Sequence, residues 1–184
     1  MRLAIVTFAL MALGSAVARA DEDTVVSPFV SKPTALYFVS GPRTPVGFFG
    51  FEAEQNLTSF WTVAVGGGFD AGPQVAAMTR LLLGGATSKL ALGVGVSHGK
   101  FTWVHDEGDE IAAQKSGTIS WANFEIGGAH RWRNGFSLKY FVGYTRAVAG
   151  ELVCEGYSAP NCLASYQNDG YSGLYTGAAV GGAF

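Results

Sequence analysis

Phe136-Ser137-Leu138-Lys139-Tyr140-Phe141-Val142-Gly143-Tyr144-Thr145 alternates large apolar side chains with smaller or polar ones. Phe136, Leu138, Tyr140, Val142 and Tyr144, with Val148 beyond them, share one face. Ser137, Lys139, Phe141, Gly143, Thr145 and Ala147 share the other. A period of two is the signature of a β-strand. A greasy face set against one carrying a lysine and a glycine suits a strand whose outer side meets hydrocarbon and whose inner side meets a polar interior. Arg146 interrupts the greasy face only near one end, where its long stem reaches headgroups by snorkelling.

The same period recurs on both sides of this stretch and predicts eight strands, over 34–40, 46–55, 60–69, 75–83, 89–103, 118–132, 136–148 and 171–184. Leu90, Leu92, Val94 and Val96 alternate with Ala91, Gly93, Gly95 and Ser97. Trp61, Val63, Val65 and Phe69 alternate with Thr62, Ala64, Gly66 and Gly68. Phe49, Phe51 and Ala53 oppose Gly50, Glu52 and Glu54, and Val75, Ala77, Thr79, Leu81 and Leu83 oppose Ala76, Met78, Arg80 and Leu82. In the last strand Leu174, Thr176, Ala178 and Val180 face outward, and Tyr175, Gly177, Ala179 and Gly181 inward. Most of these runs match the roughly 9–11 residues of a tilted membrane strand.

The amino-terminal residues fix the compartment. Arg2 forms a positive n-region, Leu3 to Val17 an apolar h-region, and Ala18-Arg19-Ala20 a small-x-small cleavage pattern before the acidic Asp21-Glu22-Asp23. We therefore expect residues 1–20 to be a signal peptide, 21–33 a periplasmic segment and 34–184 the barrel. Loss of Arg2 and Arg19 reduces the 12 basic residues to 10 against 14 acidic ones, a net charge near −4. That balance leaves no basic patch for a nucleic-acid backbone. The chain carries 26 glycines, 13% aromatic residues and only 14% charged ones, which suits strands with small residues on one side and greasy ones on the other.

Connector lengths sort by side. From a periplasmic start, the even connections, Asn56 to Ser59, Gly84 to Ser88 and Arg133-Asn134-Gly135, are short turns. The odd ones include two long excursions, Val104 to Gly117 and Ala149 to Gly170. Short turns on one side, long loops on the other and both termini on the short side are what an even-stranded closed barrel requires. Closure also removes sheet edges that hydrocarbon would leave unsatisfied.

With its terminal strand ending in Phe184 and this loop asymmetry, the chain from about Thr34 to Phe184 resembles the small eight-stranded outer-membrane barrels. That class includes the OmpA transmembrane domain, OmpX and the opacity-type surface proteins. The resemblance implies an all-β, antiparallel, up-and-down transmembrane barrel in the outer membrane of a Gram-negative bacterium. It also implies lipid as surroundings, and Phe184 as an assembly signal read by the barrel-assembly machinery. No peptidoglycan-binding domain of the kind that follows the barrel in full-length OmpA-like proteins is seen.

The strand faces send Glu52, Glu54, Arg80, Glu125, Arg131 and Lys139 inward. Three acids and three bases in a narrow lumen are costly unless paired, so the expectation is a salt-bridged plug. An eight-stranded barrel is just wide enough for side chains to fill. The competing reading is a gate that passes small ions when the pairs exchange.

Cys154 and Cys162, the only cysteines of an exported chain, are expected to pair within the longer loop. His105-Asp106-Glu107-Gly108-Asp109-Glu110 is dense in carboxylates but lacks the spacing of a calcium loop, so no metal is expected. Asn56-Leu57-Thr58 matches a glycosylation sequon by chance. Ser97-His98 and His130 are the candidates for catalysis, yet no Gly-x-Ser-x-Gly or His-Glu-x-x-His motif accompanies them, and neither an enzyme nor a cofactor is expected. The expected function is a non-enzymatic surface barrel serving envelope integrity or surface interaction, any ligand being met through loops 104–117 and 149–170. The alternatives are a narrow channel for ions or small solutes and a soluble lipocalin-like or avidin-like barrel, which would bury its greasy face inside.

Overall fold

Eight antiparallel strands follow one another around a closed barrel in the computed structural model, which describes residues 26–107, 110–155 and 172–184; at 102–107, 110–115, 152, 154 and 155 it describes the backbone alone. The strands are β1 (Thr34–Thr44), β2 (Gly47–Asn56), β3 (Trp61–Phe69), β4 (Pro73–Gly84), β5 (Ser88–Glu107), β6 (Glu110–Arg131), β7 (Phe136–Glu155) and β8 (Gly173–Ala183), preceded by a one-turn helix α1 (Pro28–Ser31). Each strand pairs with its neighbour in sequence, and β1 meets β8 from Ala35↔Ala183 to Ser40↔Ala178. The backbones of Thr34 and Phe184 exchange hydrogen bonds of 3.3 and 2.9 Å at the end of that seam.

Alternation decides which residues face which way. In β7 Phe136, Leu138, Tyr140, Val142 and Tyr144 are exposed, and Ser137, Lys139, Phe141, Gly143 and Thr145 are buried. In β8 Leu174 is 75% exposed and Tyr175 2%. Exposed apolar residues therefore clothe the outer wall, while Glu52, Glu54, Arg80, Asn123, Glu125, Arg131 and Lys139 lie within. This is the reverse of a lipocalin-like arrangement, and it overturns that alternative.

Three features depart from the sequence-based expectation. The segment 104–117 is not an open loop: β5 and β6 run on to Glu107 and from Glu110, paired through Val104↔Gln114 with a bulge at His105/Asp106, and only 108–109 separate them. Residues 149–155 likewise belong to β7, paired with 114–120. The polar composition of 104–117 concealed the first of these extensions, because a backbone ladder needs hydrogen bonds rather than a greasy face. The wall is consequently uneven, with 20–22 residues in β5 to β7 against 9–12 in the other strands.

Secondly, β1 extends past residue 40 through a register break to Thr44. Arg43 takes a positive φ of 60° there, and Gly47 one of 96°. This bent hairpin tip turns Val46 inward, where it joins Tyr37, Phe141 and Tyr175 in one buried cluster. Thr44 Oγ1 donates to the Gly47 carbonyl and ties the tip together. Thirdly, the segment before β1 is not free: α1 packs into the barrel, with Phe29 only 1% exposed beside Leu82, Ala91 and Ala129. The expected signal peptide at 1–20 and Cys162 lie outside the described residues, and of Cys154 only the backbone is described, so their pairing does too.

Candidate functional site

The lumen is the candidate site, and its centre is Arg80 on β4. Its guanidinium forks onto Glu52, Nη2 to Oε2 at 2.8 Å and Nη1 to Oε1 at 2.9 Å, reaches Glu54 Oε2 at 3.3 Å, and places Nε at 2.5 Å from Glu125 Oε1. Lys139 on β7 donates to Glu52 Oε1 and, at 3.0 Å, to Glu54 Oε2. Arg131 on β6 closes the set through Nη2 to Glu54 Oε1 at 3.1 Å. All six sequence-selected charges thus meet in one network, and Arg131, the deepest, is 0% exposed.

Local sequence makes this arrangement possible. Glu52 and Glu54 are two apart on β2, so both point inward. The inner positions around the guanidinium, Ala64 and Gly66 on β3 and Gly93 and Gly95 on β5, are small and leave room for long side chains. Gly93 bears directly on the ions, since a Cβ there would run into Cγ, Cδ and Oε1 of Glu125. Full pairing with several hydrogen bonds per ion is the condition under which such charges tolerate burial.

Neutral groups the sequence did not single out complete the network. Tyr37 Oη accepts from Arg131 Nη2 at 3.2 Å, and its ring lies under Lys139, whose Nζ is 3.8 Å from the ring centroid. Tyr175 donates to Glu125 Oε2 at 3.4 Å and meets Phe141 edge-on. Ser137 Oγ accepts from Arg131 Nε at 3.2 Å. Asn123 Nδ2 donates to Ser97 Oγ at 3.0 Å on the β5–β6 side.

Two further layers close the barrel above and below the ions. Toward the hairpin tip of β1 and β2, Val46, Phe141 and Tyr175 fill the bore. Toward the short-turn mouth stands Phe29, with the Arg131 guanidinium 4.6 Å and Lys89 Nζ 5.5 Å from its ring centroid. Asn56 Nδ2 holds the Phe29 carbonyl at 2.6 Å, and Arg131 Nη1 holds that of Lys32 at 2.7 Å. The sequon asparagine is thereby buried and committed to a structural bond.

The candidate catalytic residues separate. Ser97 faces the lumen, while His98 lies on the outer side, with Nδ1 2.9 Å from Ser120 Oγ. His130 Nδ1 is 2.6 Å from Ser88 Oγ, and its ring packs 4.0 Å from that of Trp132. Among the described residues no carboxylate extends either histidine–serine pair toward a triad, and none groups three or more His, Cys, Asp or Glu as metal ligands. Phe184 is exposed on the outer wall at the β1–β8 seam.

No family model matches the chain, and no curated protein matches its sequence. Among solved structures, Acinetobacter baumannii CarO2 is 11% identical with a TM-score of 0.41, over 83% of this chain and 99% of that one. CarO of the same organism is 13% identical with a TM-score of 0.42, over 83% and 98%. Likeness this weak adds nothing to the strand ladder, which defines the fold by itself. The fold is a closed, up-and-down, eight-stranded antiparallel barrel, apolar outside and ion-paired within.

Proposed function

We propose that this protein is a non-enzymatic outer-membrane barrel that conducts nothing at rest and serves as a rigid platform at the cell surface. The observation that carries the reading is the inversion of polarity: large apolar side chains on the outer wall around a bore filled by six mutually paired charges. Hydrocarbon is the solvent in which such an exterior is stable. The β5–β7 wall, twice the height of its neighbours, rises beyond the hydrocarbon and presents its surface to envelope or external partners. Exposed Val148, Glu151 and Val153 belong to that projecting surface.

Fractionation of the native host should recover the protein in the outer membrane, with folded and boiled forms migrating differently in detergent gels. Quantitative recovery in the soluble periplasm would overturn the proposal. Planar-bilayer recordings of the folded protein should show no channel steps. Steps in the parent that change in Arg80→Ala or Glu125→Ala would restore the ion-gate reading instead.

A further inference from the structure

The mouth at the short-turn end is closed differently from the rest of the bore. Its stopper is contributed not by a strand but by residues 26–32, which precede the barrel. Phe29 is sunk among Leu82, Ala91 and Ala129, and Pro28 beside it is also buried. Three bonds moor the segment: Ser27 Oγ to the Ala86 carbonyl at 2.6 Å, Asn56 Nδ2 to the Phe29 carbonyl, and Arg131 Nη1 to the Lys32 carbonyl. Val26 and Val30, on the outer face of the segment, are exposed.

The space that the Phe29 ring itself fills, the chamber, is bordered by two polar groups without ordinary partners. Lys89 is 8% exposed, and among the described residues no carboxylate pairs with it; its described partner is the Phe29 ring. Asn56 Oδ1 is buried without a hydrogen bond. Counted over the described side chains lining the lumen, Glu52, Glu54 and Glu125 face Arg80, Arg131, Lys139 and Lys89, one cation more than the carboxylates. A buried ammonium held only by an aromatic face gains hydration or an anion when that face withdraws. Solvation of Lys89 therefore offsets part of the apolar burial lost when Phe29 withdraws.

We propose that residues 26–32 are a displaceable plug over a blind, cation-lined vestibule that takes up small anions through the short-turn mouth. Phe29 is the stopper, Asn56 and Arg131 are its moorings, and Lys89 is the anion's partner once the ring has moved aside. The ion-pair layer around Arg80 remains in place, so displacement opens a pocket and not a through-path. This goes beyond the sealed-platform reading, which survives or fails independently of it.

The test uses a reporter thiol in the chamber, Ala129→Cys, in the full folded barrel in detergent micelles. Folding of every variant is confirmed by heat-dependent gel migration, and the labelled site is identified by peptide mass spectrometry so that the native cysteines do not interfere. Two small thiosulfonate reagents are compared, one carrying a sulfonate and one a quaternary ammonium. The parent should label slowly but measurably, and Phe29→Ala should raise the rate about ten-fold or more by removing the stopper's buried contacts. The sulfonate reagent should outpace the ammonium reagent, and Lys89→Ala in the Phe29→Ala background should erase that preference. Equal rates with and without Phe29 would overturn the plug. A parent that stays unlabelled over a day while Phe29→Ala reacts would make the segment a permanent lid and overturn its displacement. Equal rates for the two reagents would overturn the anion site.

Discussion

The middle of the bore and its short-turn mouth are both closed, by opposite chemistries and from different parts of the chain. At mid-height the closure is ionic and strand-borne: Arg80, Glu52, Glu54, Glu125 and Lys139 project from β2, β4, β6 and β7, whose ladders fix their positions. At the mouth it is aromatic and brought in from outside the sheet by α1. Removing a strand-borne seal means breaking the barrel or leaving a charge unpaired. Removing the mouth seal means withdrawing Phe29 from its buried contacts and breaking three hydrogen bonds, with every strand ladder left in place. The difference teaches that one lumen holds an obligatory closure and a dispensable one.

That contrast is most severely tested at Arg80. Arg80→Ala leaves Glu52 and Glu125 without their principal cation, and breaking a buried network this way costs about 3–5 kcal/mol. Denaturant titration of the heat-shifted gel band should show the largest loss of stability of any single change; a loss no greater than at the mouth would dissolve the contrast. Gly93→Ala pushes against the Glu125 side chain and spoils its bond to Arg80, an overpacking penalty of about 1–3 kcal/mol by the same titration. Phe29→Ala should cost only about 1–2 kcal/mol, short of the roughly 3–5 of a fully buried phenylalanine, because the segment can detach while the barrel stays intact. Lys89→Met should raise stability by about 0.5–1 kcal/mol, since it removes a buried charge that lacks a carboxylate. On the projecting wall, Val153→Thr should shift the midpoint by no more than about 0.5 kcal/mol, being exposed and far from either seal.

The ion-pair layer was legible because strand period alone assigns a face, and six charges landed on the same one. Glu52 and Glu54 at a spacing of two, opposite Phe51 and Ala53, leave little freedom in the reading. The partnership was not legible in detail: that Arg80 is the hub and Lys139 sits over Tyr37 depends on register between strands, which a single strand's pattern does not contain. The mouth seal escaped for a different reason. Ser27-Pro28-Phe29-Val30-Ser31 has a capping serine and an N1 proline, the marks of a helix start, but one turn is too short to show a period of 3.6. The projecting wall escaped because the alternation of greasy residues stops before the backbone ladder does.

The β1–β8 seam has one more consequence, for the order of assembly. Its six described pairs, from Ala35↔Ala183 to Ser40↔Ala178, join the two ends of the barrel sequence, and the β8 side offers mainly glycine and alanine. The β5–β6–β7 meander, by contrast, is long and entirely local in sequence. Loop-closure entropy makes the local ribbons the early structure and the seam the late one. A chain in mid-assembly therefore stands as an open, curved sheet whose two unpaired edges are β1 and β8. Zipping them together is the step that turns a sheet into a closed barrel with a lumen.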